Sequence, residues 1–347
     1  MKTLMSICSA LFLSVLAFGQ SEDLKIKDAI PSGTKWHPGH YLRVVAREDN
    51  PEGARAFLAH PKSTGILVEF DWKNLEGAPG VYDFSKIDGY LALAHEYGKV
   101  IQIKIQDRGF LGETDANAPA YLKEQGYVVP MYKDGRTKTV VKGSALKWWD
   151  GAAMDHFIRL YRELGARYDT HPDFAGVTIG DGESALDVDK SPESGYSGKE
   201  HERQIIRSAR EVKRVFPHTP VFTGFNWLGV DTLRAVALAL FEIKGSGFIH
   251  PDTVPGKKFP ATDLEIEFGR LGVPTLAGMQ TPNLSEEMTE IQMFGWAAKT
   301  IGASMVAWNH YRPKRGNYVQ TTLLPFLESA DSDFPASNLL RPETMKP

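Results

Sequence analysis

The chain has 347 residues, a formal net charge of −3 and 42% hydrophobic residues. This length is enough to bury a large core, and α/β barrels of this size often form one domain. The near-neutral charge argues against nucleic acid or an anionic membrane surface as the main partner. The partner must therefore be inferred from individual residues rather than from the overall charge.

Residues 1–19 have the pattern of a secretory signal peptide. Lys2 precedes an apolar run, and Gly19 supplies a small residue at the expected cleavage site. An N-terminal membrane anchor is the alternative, but the run is short for a span of about 20 residues. We therefore expect a secreted or periplasmic protein that begins near Gln20 and inserts no segment into a membrane. Cys8 would leave with the signal, so we expect neither disulfides nor thiolate metal sites.

Beyond the signal, strand-like and helix-like segments alternate along the chain. The strand-like segments are 41–45, 65–72, 100–106, 174–180, 220–227, 245–250, 274–280 and 303–310. Such alternation predicts a parallel sheet, and eight units predict its closure. We predict a single-domain (β/α)8 TIM barrel over 40–330, after a lead-in at 20–39 and before a tail at 331–347. An open doubly wound sheet is the alternative, but no Gly-x-Gly-x-x-Gly follows the first strand.

The connection after the third strand, residues 107–147, is unusually long. Within it, residues 127–141 contain the pair Asp134-Gly135 between two β-rich arms, which is typical of a hairpin. Long connections in compact domains are often functional. We predict that this insertion forms a wall beside the mouth of the barrel.

Polar and aromatic side chains follow the predicted strands. In a (β/α)8 barrel the carboxyl ends of the strands carry the active site. Amides and carboxylates bind hydroxyl groups, and aromatic faces pack on sugar rings, so these positions predict a carbohydrate site. The predicted substrate-binding residues are Asp71, Trp72, Gln106, Asp107, Asp181, Asn226, Trp227, His250, Gln280, Trp308 and His310. Trp72, Trp227 and Trp308 are expected to contact the ligand, although core packing is the alternative for each of them.

Other chemistries have weaker support. His250 with Asp252, or Asp187 with Asp189, could bind a metal, but no His-x-x-x-His pair or calcium-loop pattern accompanies them. Ser184 lacks the flanking glycines of a nucleophile elbow. We therefore expect no metal and no other cofactor.

Three segments resemble those of a known superfamily. Residues 71–84 contain a Trp, a Glu, a Gly and a Tyr-Asp-Phe after the second strand. Residues 164–176 read Leu-Gly-Ala-Arg-Tyr-Asp-Thr-His-Pro-Asp-Phe-Ala-Gly and lead into the fourth strand, and Trp308 ends the eighth. In these features the chain resembles a divergent member of the clan A (β/α)8 glycoside hydrolases, which include cellulase-like enzymes and bacterial β-galactosidases.

The resemblance implies roles for two positions. In this clan the fourth strand ends in Asn-Glu, whose Glu is the general acid/base; here the pair is Gly182-Glu183. The seventh strand of the clan ends in a nucleophilic Glu, and the matching residue here is Gln280. Both differences from the clan pattern are compatible with a carbohydrate ligand. The usual double-displacement mechanism, however, needs a nucleophilic carboxylate that Gln280 does not supply.

Cleavage of a glycosidic bond needs an acid on the leaving oxygen and a second carboxylate across the sugar. Glu183 is the predicted acid, and Asp181 nearby would help to keep it protonated. For the second carboxylate, Asp252 is preferred over Asp71 and Asp107, although Asp252 could instead cap a turn. The sequence thus predicts a secreted hydrolase of poly- or oligosaccharides.

Two other functions remain open. The first is a barrel that binds carbohydrate without cleaving it. The second is a polysaccharide lyase, for which Arg43, Lys104 and Arg108 could face a uronate. The sugar, the linkage, the anomeric outcome and the oligomeric state do not follow from the sequence.

Overall fold

A computed structural model describes most of the chain beyond the N-terminal segment. The described residues are 33–46, 51–109, 117–132, 141–180, 194–224, 230–251, 253, 255, 260–270, 273–279, 288–310 and 316–346. Their strands are β1 (Gly39–Val45), β2 (Ser63–Asp71), β3 (Glu76–Ala78), β4 (Val81–Tyr82), β5 (Val100–Gln106), β6 (Val128–Tyr132), β7 (Val141–Leu146), β8 (Phe174–Ile179), β9 (Val221–Gly224), β10 (Ser246–His250), β11 (Thr275–Met279) and β12 (Met305–Asn309).

Eight of these strands form a closed parallel barrel in the order β1-β12-β11-β10-β9-β8-β5-β2, with β2 pairing back onto β1. The outer helices are α1 (Pro51–Leu58), α2 (Ser85–Glu96), α3 (Ala120–Glu124), α4 (Gly151–Tyr168), α5 (Gly198–Val215), α6 (Val230–Glu242), α7 (Pro260–Arg270), α8 (Glu290–Gly295), α9 (Leu324–Glu328) and α10 (Ala336–Leu339). Short π-helical turns, Trp296–Ile301 and Val319–Leu323, extend α8 and precede α9. The predicted single-domain (β/α)8 barrel is confirmed.

Two apolar layers hold the barrel together. Strand residues alternate between its inside and its outside because successive side chains point to opposite faces. The interior is filled by Tyr41, Leu67, Val100, Ala175, Phe222, Ile249, Leu276, Met305 and Ala307. A larger apolar layer lies between the strands and the helices. Burial on both sides explains why the strands read as continuous apolar runs.

Some of the outer helices begin where a short polar side chain satisfies free backbone amides. Asp150 Oδ1 accepts from the amides of Ala152 at 2.9 Å and Ala153 at 3.0 Å, which starts α4. Thr289 and Gln292 form a reciprocal capping box at the start of α8.

The insertion after the third strand forms a hairpin, but with a shifted second arm. β6 and β7 are antiparallel, with Val128 opposite Leu146 and Tyr132 opposite Val141. β7 therefore begins where the predicted hairpin was expected to end. The turn pair Asp134-Gly135 lies outside the described residues. The hairpin is joined to the carboxyl end of β5, because the Gly109 amide donates to the Ser144 carbonyl at 2.9 Å. The insertion thus lies on the predicted face of the barrel.

The tail after the last strand packs onto the barrel rather than trailing from it. Asn338 Nδ2 donates to the carbonyls of Ala298 at 2.6 Å and Ala303 at 3.1 Å. The Phe334 ring lies 4.8 Å from the His40 ring, measured between centroids. Residues 331–346 therefore complete the core at the amino end of β1.

No helix among the described residues is long and apolar enough to cross a membrane.

One buried lysine, Lys213, and one partly buried lysine, Lys35, cap backbone carbonyls at the amino-terminal face of the barrel. Lys213 Nζ donates to the carbonyls of Phe216 at 2.8 Å, Pro217 at 3.1 Å and Thr219 at 3.1 Å. Lys35 Nζ donates to the carbonyls of Asp169 and His171, both at 2.9 Å. Burial lowers the pKa of each lysine to about 8.

The pKa of Lys213 makes its contribution to stability dependent on pH. The folded protein disfavours the charged amine relative to the unfolded chain, whose lysine pKa is 10.5. This penalty is fully present below about pH 8 and is relieved as the pH rises toward 10.5. We expect the free energy of unfolding of the wild type, relative to Lys213→Met, to rise by about 2 kcal/mol between pH 7 and pH 10. Urea titrations at both pH values measure it, and a difference independent of pH would contradict it.

Candidate active site

The carboxyl end of the barrel carries a buried ion-paired group on three neighbouring strands. Glu69 Oε2 of β2 accepts from Arg43 Nη2 of β1 at 3.0 Å and from Arg43 Nε at 3.2 Å. Lys104 Nζ of β5 lies 3.8 Å from the same oxygen. Only 3% of the Glu69 side chain and 1% of the Lys104 side chain are exposed, against 15% for Arg43. Two cations therefore share one carboxylate oxygen on the floor of the mouth.

The pattern of the strands explains why these charges meet. Tyr41 and Leu67 fill the barrel interior, and Arg43 and Glu69 follow each of them by two residues, so they point the same way. Asp71 and Gln106 come two residues after Glu69 and Lys104 and are also buried. The predicted site residues Asp71 and Gln106 therefore lie together at the mouth.

The eighth strand closes this arc. Arg43 Nη1 donates to Asn309 Oδ1 at 3.4 Å, and His310 Nδ1 lies 3.1 Å from the Arg43 carbonyl oxygen. His310 is partly exposed. The end of β12 thus brings His310, a predicted substrate-binding residue, beside Arg43. The described part of the mouth combines one arginine, one lysine, two acids, two amides and a histidine.

Two of the predicted sugar-stacking tryptophans are core residues. Trp72 is fully buried, its Nε1 donates to Glu76 Oε2 at 2.7 Å, and its ring packs on Phe157. Trp308 is fully buried, and its Nε1 donates to His40 Nδ1 at 3.0 Å. Trp308 points outward because it alternates with the inward-facing Ala307 of β12, and Trp72, which directly follows β2, packs outward against Phe157 of α4. The prediction that they stack on a ligand is corrected to core packing between strands and helices.

His250 is a second correction. It ends β10, but its neighbour Ile249 is the one that faces the barrel interior. His250 points the other way and places Nδ1 3.4 Å from Glu265 Oε2 of α7, with both side chains fully buried. Burial raises the pKa of Glu265. The sequence correctly placed His250 at the end of a strand, but the prediction that its side chain faces the mouth of the barrel was wrong.

Asp107 is buried under the insertion and does not line the mouth. Its Oδ2 accepts from the Leu146 amide at 3.1 Å and from Trp148 Nε1 at 3.2 Å. Burial raises the pKa of this carboxyl. Asp107 therefore anchors the insertion to the end of β5, and its predicted role in substrate binding is corrected to this one.

Two consecutive tryptophans hold both ends of the connection that follows the fourth barrel strand. Gly180 directly follows β8, and a Cβ at this position would lie 3.1 Å from the Trp148 ring and 3.3 Å from Asp107 Oδ1, so only glycine fits easily. Trp149 Nε1 donates to the Ser194 carbonyl at 3.2 Å. Its ring also contacts that of Tyr196, with centroids 5.1 Å apart. The insertion is thus packed beside Gly180 and Ser194, the described residues that flank 181–193.

Six of the predicted site residues lie outside the described residues. They are Asp181, Glu183, Asn226, Trp227, Asp252 and Gln280. The neighbours of Asp252 are described: Thr253 donates through its amide to the Gly278 carbonyl at 2.9 Å and through Oγ1 to the His250 carbonyl at 3.0 Å. The chain on either side of Asp252 is therefore held at the ends of β10 and β11.

Sequence analysis missed two acids that the structure makes central. Glu69 lies inside an apolar strand, and the i, i+2 spacing of Leu67, Glu69 and Asp71 was the signal that all three share a face. Glu76 was noticed only as part of a motif. Its carboxylate accepts from Trp72 Nε1, from the Gly80 amide at 2.9 Å and from Tyr121 Oη at 2.9 Å. It therefore joins the β3–β4 hairpin to the insertion.

No group of three or more His, Cys, Asp or Glu side chains within the described ranges is arranged to hold a metal ion.

We expect Glu69→Gln to destabilise the fold by about 3–5 kcal/mol, because it leaves Lys104 and Arg43 buried without their carboxylate. The double variant Glu69→Leu/Lys104→Met is the matched control. It removes one charge of each sign, so its loss should be clearly smaller. Chemical denaturation of the three proteins tests this, and equal losses in both variants would show that the shared carboxylate is not what balances Lys104.

Comparisons with known proteins agree with the architecture. A family model described as β-galactosidase, glycoside hydrolase family 42, matches residues 45–192, which is less than half of the chain. This stretch runs from the end of β1 past β8 and includes Glu183. No curated protein sequence matches the chain significantly.

Solved structures share the fold at low sequence identity. A β-galactosidase from Rahnella sp. R3 aligns with a TM-score of 0.50 and 13% identity over 81% of this chain and 51% of its own. The catalytic domain of a β-amylase from Paenibacillus polymyxa gives 0.56 and 10% over 82% and 98%. Endo-glycoceramidase II from Rhodococcus sp. gives 0.52 and 13% over 86% and 80%.

The chain spans about half the length of two β-galactosidases that it matches, at 51% and 52%. The family match covers the motifs after β2 and before β8, and the structural matches cover most of the barrel. Over residues 45–192 the chain is therefore similar to the β-galactosidases of glycoside hydrolase family 42, and it shares its barrel fold with the solved structures named above.

Proposed function

We propose that the protein is a secreted glycoside hydrolase that cleaves a poly- or oligosaccharide, with Glu183 as the general acid. The observation that carries the proposal is the place of Glu183 in the chain. In the sequence it lies inside the family match and three residues after Gly180, which directly follows the fourth barrel strand, β8. The similar structures are named β-galactosidase, β-amylase and endo-glycoceramidase, one of them as a lactosyl-enzyme intermediate. Secretion is proposed on the apolar N-terminal run of residues 1–19 alone.

The described mouth narrows the choice of the second carboxylate. The Glu69 carboxylate is already ion-paired with Arg43 and Lys104, and the Asp107 carboxylate is buried under the insertion. This leaves Asp71, at the inward end of β2, and Asp252, which follows β10. We keep Asp252 as the first candidate, because the backbone on both sides of it is hydrogen-bonded at the ends of two barrel strands.

The residue at the seventh strand supports an inverting mechanism. Gln280 directly follows β11, where the clan resemblance expects a nucleophilic carboxylate. A neutral amide cannot form a glycosyl-enzyme intermediate. In an inverting reaction Glu183 protonates the leaving oxygen, while the second carboxylate removes a proton from a water that attacks the opposite face of the sugar. The water's oxygen becomes the new anomeric hydroxyl, and Gln280 donates or accepts hydrogen bonds with the substrate.

We expect Glu183→Gln to lower the turnover number about 10²–10⁴-fold without unfolding the protein, since it removes a positioned proton donor. Glu163→Gln, an exposed residue of α4, is the matched control and should keep full activity. Hydrolysis of a broad panel of oligosaccharides gives the rates, and NMR of the first-formed product gives its anomer.

Three results would revise the proposal. Full activity of Glu183→Gln would show that the acid lies elsewhere. Retention of configuration, with a covalent adduct on another residue, would replace the inverting mechanism by a double displacement. A wild type that binds sugars but cleaves none would make the protein a carbohydrate-binding barrel, which Gln280 at the nucleophile position also fits.

A further inference from the structure

The buried imidazole of His40 connects the tail, residues 331–346, to the end of β12. His40 lies near the start of β1, and only 2% of it is exposed. Its Nδ1 accepts from Trp308 Nε1 at 3.0 Å, and its Nε2 lies 2.8 Å from the Ser332 carbonyl oxygen. An indole N–H can only donate, so Nδ1 carries no proton and Nε2 donates to Ser332. The neutral imidazole thus forms a relay of two hydrogen bonds from the tail to Trp308.

Aromatic rings close the other sides of this imidazole. The centroids of the Phe334, Phe294 and Phe326 rings lie 4.8, 5.1 and 6.4 Å from that of His40. Phe294 belongs to α8 and Phe326 to α9, and both are buried. Phe334 belongs to the tail and is partly exposed. The tail is therefore the part of this cover that separates His40 from solvent.

A second proton on His40 would break the relay. It would go to Nδ1, which then meets the indole N–H donor to donor, and the new charge would be buried among rings. Burial is the main reason that the pKa of His40 is lowered to about 4. Lys62 and His60 lower this pKa further, whereas Asp333 of the tail raises it. The Asp333 carboxylate is already balanced, since its Oδ1 lies 2.6 Å from Lys62 Nζ.

The tail is attached to the barrel mainly by polar contacts. Of its described side chains, only Ser332 and Met345 are fully buried. Asn338 donates to two backbone carbonyls of the barrel, and the Leu339 carbonyl accepts from the partly exposed Trp36 Nε1 at 3.1 Å. A segment with so little buried apolar surface opens at a lower free-energy cost than a strand or helix of the barrel.

We propose that His40 is an acid-sensitive latch: while its imidazole is neutral it holds the tail on the barrel, and its protonation releases the tail into solvent. The latch lies one residue from the mouth, because Trp308 directly precedes Asn309, whose Oδ1 accepts from Arg43 at 3.4 Å. It is independent of the proposed hydrolase activity, which its test does not measure.

The direction of the pH dependence follows from the two states of the imidazole. Its pKa is about 4 while it is buried and returns toward the ordinary 6.5 once water reaches it. The hold on the tail is therefore complete above pH 6.5 and weakens as the pH falls toward 4. The difference between the two values corresponds to a hold about 300-fold weaker in acid.

The test is a pH titration by NMR of the full chain, labelled with ¹⁵N in its tryptophan indoles. The Trp308 Nε1–H signal reports the bond to His40, and the Trp36 Nε1–H signal reports the bond to Leu339 of the tail. We expect both signals to shift reversibly with one midpoint between pH 6.5 and pH 4, while the far-UV circular dichroism stays unchanged. Trp308→Phe and Trp36→Phe assign the two signals.

Three variants separate the latch from other titrating groups. His40→Gln keeps an uncharged donor and acceptor in the relay and cannot titrate, so the Trp36 signal should not shift over this range. His95→Gln is the matched control: it removes an exposed histidine of α2 and should leave the transition unchanged. Asn338→Ala removes two hydrogen bonds of the tail, so it should raise the midpoint, by about one pH unit for each tenfold loss of attachment.

Four results would overturn the latch. A Trp36 signal that stays fixed down to pH 4 would show that the tail is not released. A His40→Gln protein with the wild-type transition would place the titrating group elsewhere. Loss of circular dichroism with the same midpoint would reduce the effect to acid unfolding. If His40→Gln does not fold, Asn338→Ala decides, and a midpoint no higher than that of the wild type would equally refute the proposal.

Discussion

The closed barrel imposes one constraint on which everything else depends: each strand residue faces either the lumen or the helices, and its neighbours face the opposite way. Arg43, Glu69 and Lys104 meet because each occupies a lumen position on adjacent strands, at a depth where the apolar filling ends. Trp308 and His250 are excluded from the same space by a single step along their strands. A one-residue difference thus separates a group that could touch substrate from one that holds a helix in place.

Buried carboxylates hold separate segments of this protein together through hydrogen bonds. Glu76 accepts hydrogen bonds from a tryptophan, a glycine amide and a tyrosine of three segments. Asp107, at the end of β5, accepts hydrogen bonds from Leu146 and Trp148 of the insertion. Each satisfies N–H or O–H donors that would otherwise be buried without partners, which costs about 1–3 kcal/mol per group. Among the described acids near the mouth, Glu76 and Asp107 therefore hold segments together, whereas Glu69 and Asp71 occupy lumen positions.

Much of the fold could be predicted from the sequence because its signals are local. All eight barrel strands coincide with apolar, β-rich segments, and β5 matches its predicted bounds. The position of the insertion followed from its length, whereas the bounds of β7 did not, because pairing register depends on contacts between distant segments. Trp72 and Trp308 were assigned to a ligand because a strand end does not reveal which face a residue takes. Glu69 was missed because a single acid within an apolar strand gives no sign of its role in the sequence. Its partners Arg43 and Lys104 lie on neighbouring strands that are distant along the chain.

The pair Trp148-Trp149 has a consequence for how the mouth could change over evolutionary time. Trp148 lies beside Gly180 and Trp149 is hydrogen-bonded to the Ser194 carbonyl, so the residues that flank 181–193 both lie next to this pair. For such a closed segment the entropy cost grows only with the logarithm of its length, and doubling it costs about 0.6 kcal/mol. Insertions and deletions there would leave the barrel's stability almost untouched. Residues 181–193 can therefore vary in length at little cost to the barrel, while the two indole rings keep the flanking residues in place after the fourth strand.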